Sequence, residues 1–317
     1  MLKRSLKVAY SGMPGAINID PRNELILRII ENATNTSIKI VSNFRESDLV
    51  LAYPYGSGAI SFKLKWIFFQ IVKKVFKIKE CTNGLRWILG VGSRPSIFIS
   101  HENLDRPYWW KTYGELVTSS NLPRLTYWPK EIDPNGARFP YWYNYIDWEK
   151  YPRNNFYSRF GRLYSIEALM SPLKQDFDRR EEVILIASHL DFPRKSLLDN
   201  LLTTNSVEIF GRAGTKFVGG KLELMRKYKY AFCCENSVGF GYDSEKVPEA
   251  WMAGCIPCGV YLNPYSDFNP EILHFNNSKS DQVIYSSPLL LKKPNLEDIE
   301  DYIKQFISQY SIGDANI

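Results

Sequence analysis

Tyr228-Lys229-Tyr230-Ala231-Phe232-Cys233-Cys234-Glu235-Asn236-Ser237, followed by Val238-Gly239-Phe240-Gly241, by Tyr242-Asp243-Ser244-Glu245-Lys246-Val247-Pro248-Glu249-Ala250-Trp251-Met252-Ala253-Gly254 and by Cys255-Ile256-Pro257-Cys258, reads as strand, turn, helix and strand. The apolar run Tyr230–Cys234 predicts the first strand, and Gly239 and Gly241 mark a turn behind it. The helix is predicted over Glu245–Ala253. Asp243 or Ser244 offers an N-cap oxygen, Pro248 is tolerated only in a first turn, and Gly254 suits the position after the last turn. Ile256–Tyr261 is the next predicted strand.

The same alternation runs outward in both directions. Predicted strands lie at Leu6–Ser11, Ile38–Ser42, Asp48–Tyr53, Ser96–Ser100, Glu115–Thr118 and Arg124–Trp128, then at Glu182–Ala187 and Val207–Phe210. Predicted helices lie at Pro21–Asn35, Lys195–Leu202, Lys221–Lys227 and Leu296–Tyr310. Strands alternating with helices imply parallel sheets covered on both faces. A polar and aromatic stretch, Glu149–Ser165, separates two such series. The expected organisation is one α/β domain over 1–155, a second α/β domain over 156–295, and a C-terminal helix and tail over 296–317. Gly56-Ser57-Gly58, Gly90-Val91-Gly92 and Gly211-Arg212-Ala213-Gly214 do not complete a dinucleotide fingerprint, and there is no phosphate-loop lysine motif.

The charge balance of +6 favours acidic partners such as nucleotides or anionic lipid, and no nucleic-acid-binding signature accompanies it. The N-terminal apolar run is too short for a signal peptide and reads as a strand. Five cysteines, Cys81, Cys233, Cys234, Cys255 and Cys258, with no such signal argue for reduced thiols in a cytoplasm. The basic amphipathic stretch Lys63–Lys79 mixes Trp66, Phe68, Phe69 and Phe76 with lysines. It is either an ordinary packed helix or a contact with anionic headgroups at the inner face of a membrane. Aromatics cluster at Tyr108-Trp109-Trp110 and again over Phe139–Trp148, for packing or for sugar stacking.

A helix N-terminus attracts phosphate, and Lys246 adds a full charge beside the hydroxyls of Tyr242 and Ser244. Glu245 suits a ribose diol. Taken alone, these residues fit a diphosphate site or a capped surface helix. Cys255-Ile256-Pro257-Cys258 matches a redox or zinc spacing, but a zinc site needs more ligands and adjacent Cys233 and Cys234 would point to opposite faces of their strand, so buried free thiols are expected. Asp176-Phe177-Asp178 matches the metal-binding pair of some transferases, set in a charged stretch that reads as solvated surface.

The run Tyr228–Ser237, then Tyr242-Asp243-Ser244-Glu245-Lys246, then Ala250 and Gly254-Cys255-Ile256-Pro257, resembles the donor-site signature of the α-1,3/4-fucosyltransferase family, glycosyltransferase family 10, in its bacterial cytoplasmic form. Arg194 opening a helix after a strand, Gly211 after the next strand, and Asp267-Phe268-Asn269-Pro270 downstream fit the same pattern over about residues 183–273. Cys234 and Ser244 depart from it where the family has Phe and Thr. Ser96–Asn103 resembles, more loosely, the family's strand that ends on a glutamate, with His101 in place of a small residue, and Arg124–Pro129 resembles the strand after it.

The resemblance implies a GT-B fold, two Rossmann-like α/β domains facing a central cleft, with 1–155 the acceptor-binding domain and 156–295 the nucleotide-sugar donor-binding domain. It implies inverting transfer of L-fucose from GDP-β-L-fucose to a hydroxyl, O3 of GlcNAc, on an oligosaccharide or lipopolysaccharide-type glycan. Glu102 is the expected catalytic base. Arg194, Glu235, Asn236, Ser237, Tyr242, Ser244, Glu245 and Lys246 are the expected donor-binding residues. Arg194 and Lys246 would neutralise the diphosphate, so no metal is required, and stimulation by a divalent cation stays open. The alternatives are a GT-B transferase for another nucleotide sugar and a carbohydrate-binding protein without turnover.

Overall fold

A computed structural model describes residues 5–13, 20–54, 59–76, 81–106, 109–154, 157–158, 161–174, 180–203, 206–259, 263–273 and 286–310. Its chain separates into two compact units, the first made of Met1–Phe139, Glu149–Arg162 and Asn295–Ile317, the second of Pro140–Trp148 and Leu163–Pro294. The first unit therefore includes the C-terminal helix, and the aromatic run 140–148 belongs to the second.

The first unit is built on β1 (Leu6–Ser11), α1 (Leu25–Thr34), β2 (Ile38–Ile40), β3 (Leu49–Ala52), α2 (Ala59–Phe76), α3 (Thr82–Leu89), β4 (Ser96–Ile99), α4 (Trp109–Thr118), β5 (Arg124–Thr126) and β6 (Ala137–Arg138). The strands form one sheet in the order β2-β1-β3-β4-β5-β6, every pair parallel. All residues of β3 and β4 are buried, as central strands covered on both faces require.

Two expectations change here. Pro21–Asn35 divides: Pro21–Asn23 is a 3-10 turn capped by Asp20, and extended Glu24 separates it from α1. Glu115–Thr118, expected as a strand, is the last part of α4. Tyr113, Leu116 and Val117 are fully buried at helical spacing, while Glu115 is exposed. The short run Leu116-Val117-Thr118, bounded by turn residues, suits a strand by composition, but packing of positions three and four apart decides it. Gly114 lets α4 approach closely, since a Cβ there would sit 2.8 Å from the Leu104 carbonyl.

The C-terminal helix Glu297–Ser308 packs on α1 through Ile299, Ile303 and Phe306. Buried Glu300 is its polar anchor. Its carboxylate accepts from Tyr151 Oη at 2.6 Å and Asn32 Nδ2 at 2.9 Å, and pairs with Lys150 at 3.1 Å and with Lys304. Burial opposes its charge, but these donors outweigh burial and hold the carboxyl down to about 2. A depressed folded pKa contributes stability that is present above the ordinary value of 4.5 and lost as pH falls toward 2. We expect Glu300→Gln to lower stability by about 3 kcal/mol at pH 7. The gap between wild type and variant in urea unfolding should close as pH is lowered from 4.5 toward 2; a gap independent of pH would disprove the assignment.

Short pairs lie around the junctions: β7 (Ile146–Asp147) with β10 (Tyr164–Ser165), and β8 (Tyr157–Ser158) with β9 (Gly161–Arg162). The second unit then runs α5 (Ile166–Leu169), β11 (Arg180–Ile186), α6 (Arg194–Leu202), β12 (Val207–Phe210), α7 (Lys221–Met225), β13 (Tyr228–Phe232), α8 (Lys246–Met252), β14 (Ile256–Cys258) and α9 (Pro270–Leu273). Its sheet is β12-β11-β13-β14, again all parallel. The chain leaves β11 for β12 on one side and returns to β13 on the other. The topological switch point, where open α/β sheets bind ligands outside the carboxyl ends of the strands, is thus between β11 and β13.

Trp142, Tyr143, Tyr145 and Trp148 are buried in this unit, and Trp142 Nε1 donates to Asp267 at 3.1 Å. The 139–148 cluster is therefore packing, not a sugar platform. Tyr108 lies outside the described residues.

Candidate functional site

Arg194 stands at the switch point. It opens α6 in the loop after β11, is 3% exposed, and donates from Nε to the Cys234 carbonyl at 3.0 Å and from Nη1 to the His189 carbonyl. One side chain thus ties the loop after β11 to the end of β13. This also explains why β13 stops at Phe232 rather than Cys234, since the Cys234 carbonyl goes to Arg194. Both partners are neutral carbonyls, and among the described residues no carboxylate pairs with this guanidinium.

Glu235, Ser244 and Lys246 meet at the carboxyl end of β13. Glu235 Oε1 accepts from the Ser244 amide at 3.0 Å and from its hydroxyl, and Oε2 pairs with Lys246 Nζ at 2.6 Å. Lys246 also donates to Ser244 Oγ at 2.7 Å. Both Glu235 oxygens are therefore engaged in holding the lysine and the turn before α8. Burial disfavours the Lys246 ammonium, but Glu235 and Glu245 outweigh burial and raise it above its ordinary value.

The helix start differs from expectation. Glu245, not Asp243 or Ser244, occupies the N-cap, and it makes no side-chain cap bond. Pro248 falls in the first turn, as expected. With seven residues, α8 supplies little macrodipole, so the charge offered to an anion rests on Arg194 and Lys246.

Lys221 and Glu249 were missed. Lys221 of α7 pairs with buried Glu249 and lies 3.9 Å from Glu245. Burial raises the Glu249 carboxyl. At Glu245 burial acts in the same direction, but Lys246 and Lys221 prevail and lower it. Glu249 follows Lys246 by three positions and Lys221 opens the preceding helix; each reads as ordinary surface until the fold joins them.

Ser237 and Tyr242 line a cavity of about 20 Å³ together with Glu235, Asp243 and Asn263, room for about one water. Asn236 is half-buried and accepts from Ser237 Oγ at 3.4 Å. The eight expected donor residues thus all fall in one unit, in the loops and helix starts after β11 and β13. Cys233, Cys234 and Cys258 are buried thiols whose pKa burial pushes up, to about 11 for Cys234 and about 12 for Cys258. Among the described residues no group of three His, Cys, Asp or Glu could hold a metal ion. Asp176 and Asp178 lie outside those residues.

Glu102 belongs to the first unit, in the loop at the carboxyl end of β4. Its side chain is 39% exposed, with Arg106 Nη2 at 3.7 Å. Tyr127 fixes this loop, its hydroxyl accepting from the amides of Leu104 at 2.7 Å and Asp105 at 3.1 Å. Trp128 Nε1 donates to Asp105 at 3.0 Å. The His101 ring packs between Tyr53 and Phe139, with centroids 6.1 and 5.6 Å away. Arg124, in the strand resembling the family's acceptor side, is buried in a two-pronged pair with Asp133 at 2.7 and 2.6 Å, a structural bond.

No protein-family model matches this chain, and no curated protein is similar to it. Solved structures do match. An α1,3-fucosyltransferase crystal structure superposes with a TM-score of 0.54 at 19% identity, over 98% of this chain and 81% of the other. A second α1,3-fucosyltransferase structure, with GDP, gives 0.56 at 17% identity, over 100% and 92%. A third, with GDP-fucose, gives 0.50 at 18% identity, over 100% and 85%. The fold is therefore that of the α1,3-fucosyltransferases, two parallel-sheet α/β units of GT-B type.

Proposed function

We propose that this chain is an inverting fucosyltransferase that transfers L-fucose from GDP-β-L-fucose to a hydroxyl, O3 of GlcNAc, on an oligosaccharide or lipopolysaccharide-type glycan. The observation that carries the reading is Arg194 bridging the loops after β11 and β13, with the Glu235–Lys246 pair at the same strand end. A nucleoside diphosphate fits there by charge and by the switch-point rule. The fold's likeness to structures holding GDP and GDP-fucose narrows the donor.

In this mechanism Arg194 and Lys246 stabilise charge that develops on the departing diphosphate. Glu235 acts as a positioning residue for Lys246, because both its oxygens are already used. Glu245 takes the ribose diol, with Lys221 and Glu249 fixing the helix behind it. Asn236, Ser237, Tyr242 and Ser244 complete the donor contacts. Glu102 takes the proton of the acceptor hydroxyl as the bond to the sugar forms. Five free cysteines fit a cytoplasmic setting.

A ligand that binds only the folded protein raises its melting temperature. GDP at about 100 times its Kd should stabilise by about 2.7 kcal/mol, while UDP and free oligosaccharide leave the melting curve in place. Mass spectrometry with GDP-fucose and an acceptor panel should then show addition of one deoxyhexose. Stabilisation by UDP and not GDP would assign another donor; stabilisation by glycan alone would make the chain a binding protein.

A further inference from the structure

The most basic part of the chain is also the part with an uncovered apolar face. Residues 59–95 contain Lys63, Lys65, Lys73, Lys74, Lys77, Lys79, Arg86 and Arg94 against the single carboxylate Glu80. This local excess is larger than the +6 of the whole chain. Within it, α2 has two faces. Trp66 and Phe69 are buried, Trp66 meeting Tyr113 edge-on at 5.6 Å. On the other side Leu64, Ile67, Phe68, Ile71 and Val75 keep 57–66% of their surface exposed. Their spacing of three, four, seven and eleven residues places them in one stripe along the helix.

Lys65 and Lys74 fall on opposite flanks of that stripe, at about 100° per residue. Trp87 of α3, 45% exposed, widens it: its ring lies 5.8 Å from Phe68, and Lys65 Nζ sits 5.8 Å from its centroid. A contiguous apolar stripe exposed to water marks an interaction surface.

We infer that this face of α2 and α3 docks on an anionic lipid bilayer, the apolar stripe entering the headgroup boundary and the flanking lysines meeting lipid phosphates. Charge complementarity selects this occupant. A second copy would bring lysine flanks against lysine flanks, with no carboxylate in α2 to pair them. The contact is peripheral, since among the described residues no helix is long and apolar enough to cross a membrane.

The test is sedimentation of the full chain with phosphatidylcholine vesicles, with and without phosphatidylglycerol. Binding should require the anionic lipid and weaken as ionic strength rises from about 0.01 M to about 1 M. Lys65→Ser and Lys74→Ser should each reduce partition roughly fivefold. Phe68→Glu with Ile71→Glu should reduce it by roughly tenfold or more. Phe68, Ile71 and Lys74 are exposed and Lys65 is half-buried, so melting temperatures should stay near wild type. Because the native cysteines are buried, Ile71→Cys can be labelled selectively with an environment-sensitive fluorophore. Its emission should shift to the blue on anionic vesicles alone. Equal sedimentation with neutral and anionic vesicles, or full binding by the Glu variant, would overturn the inference. A label shift that grows with protein concentration without lipid would assign the face to a second copy instead.

Discussion

Glu102→Gln is expected to abolish transfer almost completely, with kcat falling by roughly 10²–10⁴, while GDP affinity stays near wild type. Gln keeps the shape of the side chain but cannot take a proton at working pH. The loss belongs in kcat because the proton moves in the transition state. The structure makes this a clean substitution. The loop is held by Tyr127 and Asp105, not by Glu102, and the Arg106 contact at 3.7 Å is a half-exposed ion pair of small worth. The melting temperature should therefore hardly move. GDP affinity should hold because the proposed diphosphate residues all belong to the other unit. A kcat within threefold of wild type, roughly 0.65 kcal/mol of barrier, would remove Glu102 as the base. His101, packed between Tyr53 and Phe139, would be tested next by substitution to Ala.

The alternation of strands and helices was legible because both sheets are wholly parallel, and buried parallel strands are short, apolar and bounded by turns. Strand ends were less so. Whether β13 continued to Cys234 depended on Arg194, forty positions earlier, taking a carbonyl, and no local pattern contains that. Glu115–Thr118 failed for a related reason: Leu116, Val117 and Thr118 are too few to show a period, and burial of Tyr113, Leu116 and Val117 assigns them to a helix. The residue types of the candidate site were visible in the stretch 235–246, but their partners were not. Glu235 read as a donor-binding residue, and in the structure its carboxylate accepts from Ser244 and pairs with Lys246. Lys221 and Glu249 gave no signal, since a lone Lys and a lone Glu in helices are ordinary surface choices.

That difference in partners ranks the two cations of the proposed donor site. Lys246 is already compensated by Glu235 at 2.6 Å, so an arriving diphosphate shares a charge that is partly spent. Among the described residues Arg194 has only neutral carbonyls as partners, so its whole charge is available. A hydrogen bond to a charged group contributes roughly 1.5–3 kcal/mol, about tenfold to a hundredfold in affinity. Lys246→Ala is therefore expected to weaken GDP binding toward the lower end of that range, and loss of the Arg194 charge toward the upper end. Arg194→Ala would confound the reading, because it also takes this donor from the buried Cys234 carbonyl and from the His189 carbonyl. Arg194→Gln avoids much of this, since its amide can still donate to Cys234 while carrying no charge. Calorimetric titration with GDP, read beside the melting temperature of each variant, separates the effects. If Arg194→Gln binds GDP as wild type does and melts normally, the diphosphate does not sit at the β11–β13 switch point. Glu235→Gln provides the opposite sign. By freeing Lys246 it should hold or tighten GDP affinity, whereas a Glu235 that grips the sugar would lose GDP-fucose binding and leave GDP unchanged.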